Sequence, residues 1–429
     1  MPDMCPGAGG DLAGDFRRLQ RVRHLHQDMS GGSARGRGMK CDVIVVGAGP
    51  GGSMAAKTAA EAGLNVVLLE KRQEIGDPVR CAEGVGKRAL CKMVKPEAEW
   101  IASEVKGAKI YSPDGSSIVM SEDRSGSEVG YVLERKVFDR ALAMQAARAG
   151  ARVLVKTRAA GLLMNDGVPY GVNAIQVGDP LKIEAPIIIG ADGVESKVGR
   201  WAGIDTTLNL KDIESCAQFL VLDPGIDDDY TKFYLGNSIA PSGYAWSFPK
   251  GEKLANVGLG VLGSRSRPGE AIRLLREFTK KHFPNGKIVE MVVGGDPCSG
   301  PIQSATADGV MLVGDAARQT DPLTGGGILN AMEAGVIAGG VAAKAVAAGN
   351  VTKEGLREYE ERWREGIGRH LARSLEFKEF FVKLTDKDLN MLIGSLAKED
   401  ISKLDLPGLL RVLFRLNPKL LWELRHLIT

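Results

Sequence analysis

The stretch Val43-Ile44-Val45-Val46-Gly47-Ala48-Gly49-Pro50-Gly51-Gly52 constrains the fold more than any other part of the chain. Four apolar β-formers run into a Gly-x-Gly-x-x-Gly turn, and an Ala-rich helical pattern follows. In such a strand–turn–helix unit Gly47 permits the tight turn. Gly49 lets the backbone approach a pyrophosphate, and Gly52 lets helix and strand pack closely. The helix then points free N–H groups and the positive end of its dipole at the phosphates. A second apolar run, Val66-Val67-Leu68-Leu69, ends at Glu70. A carboxylate about 20 residues beyond the glycines is placed to accept hydrogen bonds from a ribose. Strand, glycines, helix and acid fall in register, which predicts the start of a doubly wound sheet holding a dinucleotide.

Two later segments narrow the cofactor. Gly190-Ala191-Asp192-Gly193 follows Ile187-Ile188-Ile189, and Gly314-Asp315 follows Val310-Met311-Leu312-Val313 and precedes a helix start at Gly325-Gly326-Gly327. One glycine pattern is weak evidence. The ordered set fits the three places where a flavin dinucleotide touches a protein, so FAD is expected. Gly258-Leu259-Gly260-Val261-Leu262-Gly263 also matches the glycine pattern. Ser264-Arg265-Ser266-Arg267-Pro268-Gly269 after it reads as a loop, and no strong helix with a following strand and acid is evident. It is read as a Gly-bearing strand end, which leaves no separate nicotinamide-binding domain.

At 429 residues and 44% hydrophobic content the chain suits two or three packed units with real cores. A net charge of +3 gives no argument for nucleic acid. The six cysteines show no zinc spacing and no CxxC, so no metal is expected and a reduced setting is the default. The predicted fold is α/β: a Rossmann-type FAD-binding domain with an inserted β-rich substrate domain and a helical C-terminal region. Residues 1–38 are expected to be a disordered extension, with Met39 as a natural start. The FAD-binding domain takes 39–105, 135–209 and 301–349. A β-rich segment at 106–134 and the strand-rich 210–300 form the substrate domain, and 350–429 is helical. No stretch reaches about 18 uncharged apolar residues, so none is expected to span a bilayer. The small-residue run 331–348 comes nearest, but Glu333 and Lys344 interrupt it.

Pro241 and the run Tyr244-Ala245-Trp246-Ser247-Phe248-Pro249 resemble the Pro-x-x-Tyr-x-Trp-x-Phe-Pro signature of geranylgeranyl reductases. With Arg80-Cys81-Ala82-Glu83-Gly84 and Gly314-Asp315-Ala316-Ala317, the chain from about Met39 onward is similar to archaeal digeranylgeranylglycerophospholipid reductases. These belong to the para-hydroxybenzoate hydroxylase superfamily. The resemblance implies hydrogenation of C=C bonds in the isoprenoid chains of membrane-lipid precursors, by FAD. It places Gly47, Gly49, Gly51, Gly52 and Glu70 on the cofactor and adds Cys81, Ala82 and Gly84 in a loop over the flavin. It sets Arg135 near the pyrophosphate, Ala159 at the adenine side, Asp315 on the ribityl chain, and Gly327 and Ile328 at the flavin ring. Asp192 is given a supporting role.

Tyr244, Trp246 and Phe248 alternate along one strand face, which suits either a prenyl-chain tunnel or an ordinary buried sheet face. Cys81 also has two readings. It is a catalytic thiol, donating a proton or bonding Cys298, or a small buried hydrophobe. The expected partners are an isoprenoid phospholipid, a low-potential electron donor such as reduced ferredoxin, and a membrane surface, with no nucleic acid. The expected location is cytoplasmic, peripheral on the inner face of the cell membrane, because the Leu-rich segment 404–425 mixes Trp422 with Arg411, Arg415, Lys419 and Arg425. Capping of the catalytic domain is the other reading of that segment. A flavin monooxygenase and a non-catalytic prenyl-lipid escort protein are the competing functions.

Overall fold

The computed structural model describes residues 37–121 and 130–397. Its centre is a six-stranded sheet in the order Thr306–Ala307, Val310–Leu312, Ile187–Gly190, Val43–Val46, Val66–Leu69, Arg152–Leu154. All pairs are parallel except the short edge strand Thr306–Ala307. The inner strands are apolar at every position and buried on both faces, as a helix-covered parallel sheet requires. The register sets Val43 opposite both Val66 and Ile187, so Gly47 and Gly190 leave the sheet at the same edge.

Two helices cross against each other on this sheet, Pro50–Glu61 and Ile328–Ala348. Small residues set their separation: a Cβ on Gly335 would lie 2.2 Å from the Gly51 carbonyl oxygen. Ile328–Ala348 is the one helix among the described residues with the length and apolar character of a membrane span. Its buried residues from Ile328 to Ala345 instead pack in the cores of the nucleotide fold.

A seven-stranded mixed sheet forms the second lobe, ordered Lys287–Pro297, Ile213–Leu222, Leu254–Leu262, Tyr244–Gly251, Tyr230–Leu235, Gly107–Tyr111, Ser117–Ser121. The early hairpin Gly107–Ser121 thus joins the sheet built from 213–297, through a parallel pairing of Gly107–Tyr111 with Tyr230–Leu235. Gly130–Leu133 goes elsewhere, pairing with Gly84–Gly86 and Ile101–Glu104 in a three-stranded sheet beside the first lobe's helices. Helix Glu270–His282 covers one face of the large sheet with Ala271, Leu274, Leu275 and Phe278. The strand-rich reading of 210–300 did not contain this helix.

Arg37 and Gly38, expected to precede the fold, are part of it: they pair in parallel with Leu181 and Lys182 at the edge of a four-stranded sheet. The rest of the expected N-terminal extension lies outside the described residues, as does the membrane segment 404–425. Beyond the nucleotide fold the described chain is helical at Arg357–Trp363, Arg369–Phe381 and Asp386–Leu396. Phe380, Leu384, Leu389 and Leu392 join Ile118 of the large sheet in a separate apolar cluster.

Candidate active site

The glycine turn has the shape its sequence predicts. Gly47 sits at φ +107°, and a Cβ on Gly52 would fall 1.9 Å from the Gly47 carbonyl oxygen. Gly49 differs from both. Its φ is −72°, ordinary for any residue, and a Cβ there would meet nothing within 4 Å. The empty space beside it is a cavity of about 370 Å³. Gly49 is also the N-cap of Pro50–Glu61 and offers no side-chain cap, so the first N–H groups of the helix face that cavity. The start of the longer helix Ile328–Ala348, also uncapped by a side chain, lies on the same cavity. Two bare helix N-termini meeting in one cleft make a site for a polyanion and for an electron-rich ring.

The loop 80–84 forms one wall of the cleft, and a buried charge holds it. Glu83 is 4% exposed at φ +75°, a left-handed conformation that costs a non-glycine residue about 1–3 kcal/mol. Its carboxylate is saturated: Oε1 accepts from the Arg135 backbone N–H at 2.8 Å, and Oε2 accepts from Lys250 Nζ at 2.5 Å and Asn256 Nδ2 at 2.6 Å. Lys250 also donates to the Leu133 carbonyl at 2.7 Å and lies 3.0 Å from Glu134. The Arg135 guanidinium makes a two-pronged pair with Asp139 at 3.1 and 2.6 Å and also acts on the Cys81 thiol. Gln218 donates to the Cys81 carbonyl and accepts from Trp246 Nε1, both at 3.0 Å. The loop is thereby bolted to the aromatic strand.

A second, more apolar cavity of about 650 Å³ opens beside the first, walled by Val105, Ile110, Phe233 and Leu235 of the second lobe and by Phe381 and Leu389 of the C-terminal helices. The two cavities share a seam formed by Gly84, Glu214, Tyr244, Phe248, Thr324 and the 326–328 turn. Tyr244 donates its hydroxyl to the Thr324 carbonyl at 2.6 Å, which ties the aromatic strand to the Gly-rich turn.

Of the expected cofactor residues, Gly49, Gly51, Gly52, Cys81, Ala82, Gly84, Arg135, Asp315, Gly327 and Ile328 line the smaller cavity. Gly47 shapes the turn behind them. Glu70 and Ala159 line neither cavity. Each Glu70 oxygen accepts one backbone N–H, from Ala48 at 3.2 Å and Arg72 at 2.8 Å, which fixes the carboxylate at the turn with acceptor capacity left. Ala159 is half-buried against the nucleotide core. Asp192 accepts from the Val198 N–H at 3.0 Å, and its other oxygen is buried without a partner.

Tyr244 and Phe248 line both cavities and Trp246 the smaller one, while Trp246 and Phe248 also pack in a buried cluster with Val105 and Val132. The strand thus both packs in the core and borders the cavities. Cys81 and Cys298 are separate free thiols, so the pairing left open by the sequence is not formed in this structure. Cys81 Sγ accepts from the Glu83 N–H at 3.2 Å, and Cys298 is directed to the Lys211 carbonyl. Burial pushes the Cys81 thiol up, against the pull of the Arg135 charge, so the group is protonated at neutral pH.

The match with known proteins follows this anatomy. A model of the geranylgeranyl reductase catalytic domain matches residues 212–295, and a model of an FAD-binding domain matches 40–217. A digeranylgeranylglycerophospholipid reductase from Methanothrix thermoacetophila is 69% identical, covering 91% of this chain and 100% of its own. One from Methanosarcina acetivorans is 57% identical over 90% of this chain and 96% of its own. The chain belongs to this family. A crystal structure of a geranylgeranyl bacteriochlorophyll reductase-like protein from Thermoplasma acidophilum superimposes with a TM-score of 0.86 at 40% identity, covering 91% of this chain and all of that one. At 16% identity and a TM-score of 0.68, a p-nitrophenol 4-monooxygenase shares the fold.

The cofactor is FAD, and the cleft has the features to hold it: two bare helix N-termini that would face a pyrophosphate and a ring edge, room at Gly49, and Asp315 in the lining. Gly49→Val is expected to fold normally by circular dichroism, because its backbone is unstrained and its Cβ unobstructed, yet to purify with flavin occupancy at least tenfold lower (about 1.4 kcal/mol of binding). Full occupancy in that variant would remove the pyrophosphate assignment. Lys250→Met leaves the buried Glu83 charge uncompensated and is expected to cost about 3–5 kcal/mol in urea denaturation. Adding Glu83→Gln should recover much of the loss. A double variant no more stable than the single one would show that the two side chains are not coupled.

Proposed function

We propose that this protein reduces the C=C bonds of geranylgeranyl chains in archaeal membrane-lipid precursors, digeranylgeranylglyceryl phosphate and related phospholipids, toward saturated phytanyl lipids. One observation supports it above the others: the apolar cavity meets the flavin cleft along a seam of glycine and aromatic residues. Reduced FAD supplies the hydride equivalent for such a reaction. An isolated alkene has no carbonyl to polarise, so the protein's contribution is position and exclusion of water. Tyr244 and Phe248 restrict the seam from the second lobe, and Gly84 and the 326–328 turn restrict it from the first. Gly84 keeps that gap thin, since a Cβ there would strike the Phe248 ring at 2.7 Å.

An aromatic monooxygenase shares the nucleotide fold, but a phenol leaves most of a cavity of about 650 Å³ unfilled. A lipid escort protein accounts for that cavity and leaves the FAD cleft without a role. In this reading Cys81, Ala82, Arg135 and Asp315 hold the cofactor, while Glu70 and Ala159 serve its adenosine end outside the cleft. The electron donor in this reading is reduced ferredoxin or another low-potential carrier.

Anaerobic incubation of the dithionite-reduced protein with digeranylgeranylglyceryl phosphate is expected to raise the lipid mass in steps of two hydrogens, and the oxidised protein should leave it unchanged. An unreduced lipid beside full flavin occupancy would overturn the reading. A substrate with two long prenyl chains is barely soluble, which places the enzyme on the inner face of the membrane in this proposal. The full chain is then expected to co-sediment with anionic vesicles in a salt-sensitive manner. Equal recovery in the supernatant with and without residues 404–429 would exclude that segment as the anchor.

A further inference from the structure

Hydride delivery to one alkene carbon leaves the other in need of a proton, and the seam contains few groups able to give one. Among the described residues, only Glu214 and Tyr244 are titratable side chains lining both cavities. The Tyr244 hydroxyl already donates to the Thr324 carbonyl at 2.6 Å. Cys81 and Asp296 line the flavin cleft alone.

Glu214 stands on the strand Ile213–Leu222, where the two-residue period also turns Cys216 and Gln218 toward the cleft. The neighbouring strand makes room for it with a glycine: a Cβ on Gly260 would lie 2.2 Å from Glu214 Oε2. Gly243 comes next, its Cβ position 3.5 Å from Oε1. Among the described residues no hydrogen bond acts on this carboxyl, whereas Glu83 of the 80–84 loop accepts three. A carboxyl in such a place, given space and left unpartnered, is set apart from the structural acids of the fold.

We infer that Glu214 in its protonated form is the proton donor to the alkene carbon opposite the hydride-accepting one, an inference that rests on the reductase function proposed above. The step balances simply. The π bond breaks, one carbon takes the hydride equivalent with its two electrons, and the other forms a C–H bond as the Glu214 O–H bond breaks. The carboxylate then regains a proton from water entering by the lipid cavity between turnovers.

The surroundings keep the acid protonated near neutrality. Burial pushes it up to about 7, and the Lys378 ammonium on helix Arg369–Phe381 opposes that rise. Asp296 faces it from Lys287–Pro297, Tyr244 from Tyr244–Gly251, Cys216 from its own strand, and Cys298 from the chain beyond Pro297. Burial pushes all four upward as well, and the Lys378 ammonium is the charge that acts on Glu214. The proton-giving form is present below about pH 7 and lost above it.

The test compares wild type, Glu214→Gln, Glu214→Asp and Cys81→Ser as FAD-loaded proteins. In the oxidised holoenzyme, without turnover, infrared difference spectra should show a protonated carboxyl band that titrates near 7 and is absent in Glu214→Gln. In single turnovers with the lipid, the wild-type rate should fall as pH rises past that point. Glu214→Gln should be slower by about 100-fold or more and lose the pH limb. Cys81→Ser should keep the limb. Should Glu214→Gln lose its flavin, Glu214→Asp decides, with its limb moved to lower pH by the more acidic side chain. An unmoved limb in the Asp variant, or a wild-type rate in the Gln variant, overturns the assignment. A wild type that never reduces the lipid but shows the infrared band overturns the reductase function, and the donor role with it.

Discussion

Lys250 and Glu83 are each almost wholly withdrawn from water, with side chains 6% and 5% exposed, and they join the two lobes at the wall of the smaller cavity. Taking both charges out of solvent costs several kcal/mol per ion, and an apolar pair of the same volume would often be as stable. Orientation explains the arrangement better than stability does. The ion pair, with Asn256 and the Arg135 N–H, gives the Glu83 carboxylate three hydrogen bonds from three directions and so over-determines a backbone held at φ +75°. That conformation brings the residues on either side to the same wall. Cys81 and Ala82 face the flavin cleft, and Gly84 faces both cleft and lipid cavity. An apolar contact in place of the pair would leave this turn several ways to relax.

The aromatic strand repeats the device in weaker form. Tyr244 ties to the Gly-rich turn through Thr324, Trp246 ties to the Cys81 loop through Gln218, and Phe248 closes on Gly84. Tyr244 and Trp246 pack with one edge and position with the other, as amphipathic aromatics do when one end needs a polar partner, while Phe248 acts by packing alone. Packing and lining were alternatives when only the period of the strand was known. They are one function here, because the sheet face that buries these rings is also the boundary of the cavity.

The nucleotide half of the protein was legible because its signals are local. Val43 to Gly52 and Ile187 to Gly193 each hold strand, turn and the reason for the turn within about ten residues, the scale on which such motifs act. The seam was not legible in the same way. Glu83 and Lys250 lie far apart in the chain, and neither falls in a pattern that asks for the other. Glu214 looks like any polar residue at a strand start. Helix Glu270–His282 had a readable signal in its apolar spacing at 271, 274, 275 and 278, obscured by the strand-rich sequence on both sides. The glycines at 258 and 260 resembled a nucleotide loop for a reason unrelated to nucleotides. They lie in the antiparallel strand Leu254–Leu262, where a Cβ at 258 would enter the Trp246 ring at 2.4 Å and one at 260 would meet Glu214. Their purpose is space for side chains of other strands, and sequence spacing does not contain that.

Apart from the seam, the apolar cavity draws its walls from parts of the chain that do not line the flavin cleft. Phe381, Val382, Leu384 and Leu389 close it from the C-terminal helices, which pack in an apolar cluster of their own with Ile118 and Phe380. The flavin cleft depends instead on the buried strands and the crossed helices of the first lobe. Volume changes in a core are felt by the atoms packed against it, and the two clusters share no buried residue. Substitutions among the C-terminal wall residues therefore act on the shape of the apolar cavity while the geometry of the cleft stays fixed. Only the seam lines both cavities, and it combines glycines, Thr324, Ile328, a tyrosine held by a hydrogen bond, the Phe248 ring and an acid without a hydrogen-bond partner among the described residues.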